Sequence, residues 1–272
     1  MSVTSAEPLT DLPAAARGEL ARAVDRLEHA SLAAQLASLA GQPVEVLKAR
    51  LPTAFQAALD TAVRRALSAA MEAALKTDPA RTPIPVASNW FHRGMAAASG
   101  AAGGAFGLPG TLVELPVSTA LLLRQVAAVA AENGEDLSKP EAAAECLKVF
   151  ALGGRDARDD AAETGYFAVR IALAEALKGA TTRGLVGVAL PGFLGAIAAR
   201  FGGPVALKLS AQAVPLIGAA AGAAVNLAFL EHFRGVAEAH FTVRRLERTH
   251  GAALVKRAYE QLAETRDARF NA

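Results

Sequence analysis

The sequence predicts an all-α fold, a multi-helix bundle with two Gly/Ala-rich apolar helical hairpins. Three observations predict it. Apolar residues make up 53% of the 272 residues, yet aromatics contribute only 5% and Ala alone is roughly a quarter of the chain. Such small side chains, together with 23 Gly, suit helices packed at close range. Apolar positions recur at helical spacing, and no alternation of β-branched residues marks a strand. Finally, two long uncharged runs, 94–113 and 209–230, are separated by helical segments of mixed charge. The apolar content excludes a disordered chain, and the single Cys146 excludes a disulfide scaffold.

From the N-terminus, residues 1–12 read as a loose tail. They carry acids and lack an apolar signal-peptide core, so the expected compartment is the cytoplasm. Leu20, Val24 and Leu27 then open an amphipathic helix that runs toward Ala40 and stops at Gly41. Residues 1–42 thus form an N-terminal segment, and 43–266 a helical domain. Pro43 opens the next tract, in which Leu47, Leu51, Phe55, Leu59, Val63, Leu67, Met71 and Leu75 recur at every fourth position. A four-residue repeat drifts about 40° per step around a 3.6-residue helix, so Pro52 is expected to break the tract and reset the stripe. The Pro-rich stretch 78–88 is the best internal boundary. Beyond it, helices are expected around 116–132, 139–152 and 160–179, with a third uncharged run at 184–199 interrupted by Pro191. A last mixed-charge helix is expected from Ala237 to Arg266.

The two hairpins centre on 94–123 and 209–230. Twenty residues rise about 30 Å, enough for a hydrocarbon core. On an insertion scale the first run is worth only about −2 kcal/mol and the second about −4 kcal/mol, while Glu114 opposes any extension of the first by roughly 3 kcal/mol. Shallow or reversible insertion is the expectation. Gly100 and Gly104, Gly103 and Gly107, and Gly218 and Gly222 are each four apart, which lays a smooth groove along one helix face for close packing against another helix or within lipid. The GLPG at 107–110 ends a helix.

The stretch GAAGGAFGLPGTLVELPVSTALLLRQVAAVAAENGEDL, followed by ECLKVFALGG (145–154), DDAAETGYFAVR (159–170), AQAVPLIGAAAGAAVNLAFLEHF (211–233) and AHFTVRRLERTHG (239–251), resembles the bacterial EcsC family. The resemblance covers roughly residues 43–262, with several motifs in the expected order. It implies a helical protein that associates with membranes, in a family named for a protein encoded beside an ATP-binding-cassette transporter. Some members bear a peptidase label, but neither HExxH nor GxSxG occurs here, and Cys146 sits in a helical AAAECLKVF context.

Few polar residues invite chemistry. Glu114 follows the first uncharged run and either caps the helix after it or sits in an apolar groove with a raised pKa. His232 and His240 lie eight residues apart and share a broad helix face, so with His92 and Glu114 they are weak candidates for a metal site. Asp159, Asp160 and Glu163 share a helix face, where the helix dipole already accounts for acids. Arg244, Arg245 and Arg248 follow the second apolar run and suit the headgroups of an anionic leaflet. The 28 basic and 26 acidic residues are interspersed, which gives net charge +2 and no basis for nucleic-acid binding.

The leading expectation is a non-enzymatic protein of the cytoplasmic face, peripheral to or partly inserted in the inner membrane. Its partners are the membrane surface or a membrane protein, with a homo-oligomer also open, and no cofactor is expected. Two alternatives stay open: a metal-dependent or carboxylate-based hydrolase using Glu114 with His232 or His240, and a soluble helical scaffold.

Overall fold

The computed structural model describes residues 11–28, 31–41, 53–76, 94, 115–154, 165–177, 190–212 and 218–270. Among them there are nine long helices and no strand, so the fold is all-α. Where one N-terminal helix is expected there are two. The first, α1 (Ala14–Glu28), buries Ala16, Leu20, Ala23, Val24 and Leu27 along one stripe. The second, α2 (Leu32–Ala40), restarts at Ser31, whose extended backbone leaves the helical path and whose Oγ accepts the Ala34 N–H at 3.1 Å. Gly41, left-handed at φ 59°, ends it as expected by donating to the carbonyls of Ala37 and Ser38.

Helix α3 (Thr53–Lys76) begins directly after Pro52. Leu59, Val63 and Leu67 of the four-residue stripe are buried, and Ala66 and Ala70 join them. The added three-residue steps cancel the drift and keep one face inward. Helix α4 (Leu115–Glu132) closes on Gly134 at φ 79°, where the N–H of Gly134 reaches the Ala131 carbonyl at 2.9 Å and that of Glu135 reaches Ala130 at 3.0 Å. Pro140 starts α5 (Pro140–Leu152), and α6 (Tyr166–Leu177) follows.

Helix α7 (Leu190–Gln212) carries Pro204 within it, and α8 (Gly218–His250) is the longest element at 33 residues, or about 50 Å. Residues 209–212 end α7 and 218–230 begin α8, so the turn expected between them lies outside the described residues. The same holds for 95–114 of the first expected hairpin. The expected helix from Ala237 to Arg266 is divided. Gly251 adopts φ 93°, which ends α8 and redirects the chain into α9 (Ala252–Phe270).

Helix α8 is the axis of the packing and touches α1, α2, α5, α7 and α9, while α7 packs against α2, α3, α5 and α6. Where these two meet α5, Phe150, Phe201, Phe229 and Phe233 form an aromatic cluster with centroids 4.9–6.0 Å apart. Gly153 allows that cluster to close, because a Cβ there would lie 2.4 Å from the Phe233 ring.

Candidate functional site

The polar residues that the fold gathers lie in its interior. Successive turns of α8 place His232, Val236, His240, Arg244 and Glu247 on neighbouring faces, and α5, α6 and the 133–136 turn supply their partners. His240 is fully buried. Its Nδ1 lies 2.9 Å from Tyr166 Oη and its Nε2 3.2 Å from Glu145 Oε2. A neutral ring satisfies both contacts when Nε2–H donates to the carboxylate and Nδ1 accepts the tyrosine O–H. Burial pushes His240 below the ordinary imidazole value despite Glu145 beside it.

Glu145 is the hub. Lys148 Nζ donates to it at 2.8 Å and Arg244 Nη1 stands 3.3 Å away. Burial acts to raise its carboxyl, but the hydrogen bond from His240 and the charges of Lys148 and Arg244 outweigh that and hold it well below the usual carboxylate range. Arg244 reaches across to Glu135 with two bonds of 2.8 and 3.1 Å. Arg248 also donates to Glu135 and, at 2.6 Å, to the carbonyl of Asn133. On the other side Arg170 makes a fork with Glu247 at 2.7 and 3.0 Å and donates to Tyr166 Oη at 3.3 Å. Six or more charged groups are thereby paired within reach of one tyrosine and one histidine.

A Tyr–His–Glu chain is the geometry of a proton relay, but Tyr166 and His240 expose 1% and 0% of their surfaces. Burial also raises the Tyr166 hydroxyl. The arrangement ties α5, α6, α8 and the turn after α4 together, with the tyrosine and the histidine buried at its centre. Cys146 next to it is pushed up to about 12, chiefly by burial, so no thiolate is present at neutral pH.

The two expected histidines are not brought together. His232 Nε2 donates to the Gly153 carbonyl at 2.9 Å, its Nδ1 has no hydrogen-bond partner among the described residues, and burial lowers it to about 4. Among the described residues no group of three or more His, Cys, Asp or Glu is placed to hold a metal ion. Glu114, His92, Gly100, Gly103, Gly104 and Gly107 lie outside the described residues, as do Asp159, Asp160 and Glu163. Gly218 opens α8 and Gly222 lies one turn on. Each of the three arginines of the basic cluster has an internal partner: Arg244 and Arg248 as above, and Arg245 both Glu19 of α1 and, at 3.3 Å, Asn133.

Sequence reasoning missed Glu135, Glu145, Lys148, Tyr166, Arg170 and Glu247. One signal was available. Glu145 and Lys148 are three apart on a helix whose other residues are mostly apolar, and a charged pair on such a face needs partners from elsewhere.

The family model of the EcsC protein family matches residues 14–246, most of the chain. The chain belongs to the EcsC family. In this EcsC protein the match starts with α1, upstream of the segment boundary expected at residue 42, and α1 contributes Leu20 and Val24 to the same hydrophobic core as the later helices. No curated protein and no solved structure matches the chain significantly.

Proposed function

We propose that this EcsC protein is a non-enzymatic, membrane-associated protein that serves a membrane transporter or another membrane process from the cytoplasmic face. The observation that carries the reading is α4. Leu115–Glu132 is long and apolar enough to cross a membrane by length and composition, with mean hydropathy 1.2, and only half of it is buried. Its inner face packs Leu115, Leu122, Leu123, Val126 and Val129 into the core. The outer face presents Val117, 52% exposed, the exposed Arg124 and the partly exposed Ala120, Leu121 and Ala128, so any lipid contact must let Arg124 reach the headgroups. A helix held by the core along one face suits the interface of a bilayer better than a full crossing.

The arginine cluster supports the reading less than α4 does. To grip lipid phosphates, Arg244 and Arg245 would exchange partners that already neutralise them. Arg248, 42% exposed along its side chain, would likewise have to give up Glu135. Neither hydrolase alternative gains support from His232 or His240, whose rings face protein on both sides.

Flotation of the full chain with phosphatidylcholine vesicles, with and without phosphatidylglycerol, tests the proposal across a salt series. Insertion through an apolar face predicts flotation that resists salt and falls in Val117→Asp, a substitution in the first turn of α4 that the helix dipole tolerates. Protein that stays in solution with every vesicle overturns it and leaves the soluble scaffold.

A further inference from the structure

A groove of about 710 Å³ runs along the outside of the α1–α8 contact, within the size range of small-molecule sites. It stands apart from α4 and from the buried network. Four arginines line it: Arg22 and Arg26 from α1, Arg234 and Arg245 from α8. Two of them are neutralised on the spot, Arg234 by Glu238 at 2.8 Å and Arg245 by Glu19. The other two have no ion pair among the described residues, although the Glu231 carboxylate also lines the groove. Arg22 is exposed and has no ion pair among the described residues. Arg26, one turn further on the same face, gives one N–H to the Glu231 carbonyl at 3.0 Å, and its Nε is buried without a hydrogen-bond partner. That Nε is covered by α8 at Gly235, so only the outer end of the guanidinium can meet a ligand in the groove.

The backbone is shaped for Arg26. Gly235 lies beneath it, and a Cβ there would sit 2.1 Å from Nε and 2.4 Å from Cζ. The missing side chain lets the guanidinium lie flat against α8, where its fork is held in place rather than free to sweep through solvent. Two forks one turn apart on the same helix face, one of them seated, offer N–H donors of the kind that suits the acceptor oxygens of a phosphate group.

We propose that the groove between α1 and α8 binds a phosphate-bearing molecule, with Arg22 and Arg26 as its anion-holding pair and Gly235 as the seat of Arg26. The rest of the groove has room for the organic part of a phosphoester. That ester is either a free metabolite or a lipid headgroup, and the experiment separates the two.

Calorimetric titration and thermal melting of the full chain with inorganic phosphate and with glycerol 3-phosphate give the first readout. Saturable binding and a melting temperature that rises with ligand are expected. Both are expected to vanish in Arg22→Ala/Arg26→Ala, and affinity to fall about tenfold or more in Gly235→Ala, where the new methyl displaces the fork without removing its charge. The ligand-free melting curve of Gly235→Ala confirms that it is folded. Vesicle flotation of the double variant gives the second readout. Unchanged flotation assigns the site to a free phosphoester, and lost flotation assigns it to a headgroup. No saturable binding by the native chain, or equal binding by the double variant, overturns the proposal. Failure of the native chain to float with any vesicle would bear on α4 alone, because the phosphate titrations need no membrane.

Discussion

Glu145 is the residue on which the interior charges balance. Replacing it with Gln leaves Lys148 and Arg244 facing each other with one carboxylate fewer, and breaking a buried pair from one side costs about 3–5 kcal/mol. Urea denaturation of Glu145→Gln should show a loss of that order; a loss below about 1 kcal/mol would mean that the network is solvated and contributes little. Tyr166→Phe is the milder test. It removes the O–H that Nδ1 of His240 accepts, at an expected cost of about 1–3 kcal/mol. His232 and Glu145 also set the acid limit of the fold, in separate windows. The imidazole of His232 is held at about 4 in the folded chain, chiefly by burial, against 6.5 when free. Below pH 6.5 the unfolded chain therefore takes up a proton that the folded one refuses. Stability falls as pH drops from 6.5 toward 4, by roughly 3 kcal/mol in all, and this contribution is flat beneath that. Glu145, with its carboxyl depressed, stabilises the fold above its ordinary 4.5 and loses that contribution only as pH falls further. Stability measured from pH 7 to 4 in His232→Asn should lose part of its slope, the remainder belonging to His240, which burial also holds below its ordinary value, while the decline below 4.5 should persist.

At the scale of elements, two glycines govern how the helices join. Gly251 turns the chain between α8 and α9 at φ 93°, so Gly251→Ala forces a side chain into a backbone region that L residues avoid; about 1 kcal/mol of stability and a lower melting temperature are expected. Gly153→Ala is expected to cost more, about 1–3 kcal/mol, because the methyl meets the Phe233 ring in a packed cluster that has no room to give. Gly153 was not legible in advance. A glycine's purpose lies in what approaches it, and Gly153 precedes Phe233 by 80 residues. The helices themselves were legible. Leu20, Val24 and Leu27 marked α1, Pro52 marked the start of α3, and the helices expected around 116–132 and 139–152 are α4 and α5. The breaks at Ser31 and Gly251 were missed, since apolar periodicity continues across both and only a local backbone preference opposes it.

Across the whole molecule, composition was a sound guide to architecture and a poor one to the polar interior. A chain so rich in Ala packs its helices closely, and that left space within the bundle for Arg170, Arg244, Lys148 and their carboxylates to meet. Each of those residues, taken alone, reads as solvated helix surface. The arginine cluster illustrates the difficulty: its position after an apolar run suggested lipid, yet Glu135 and Asn133, more than a hundred residues earlier, are what it holds. Pairing across such distances cannot be read from one stretch of sequence. The groove lined by Arg22 and Arg26 was hidden for the same reason, because most of its wall belongs to α8.

The union of α1 with α8 has a consequence for how the chain is made. Arg26 and its partner Glu231 are 205 residues apart. At about 5–20 residues per second a ribosome takes roughly 10–40 s to bridge that interval. Throughout it, the Leu20 and Val24 stripe of α1 has emerged without the surface that later covers it. Helix α1, made long before α8, is thus among the last to find its place, and nascent chains halted before α8 should be cut in α1 by protease or held there by a chaperone, while released chains are not.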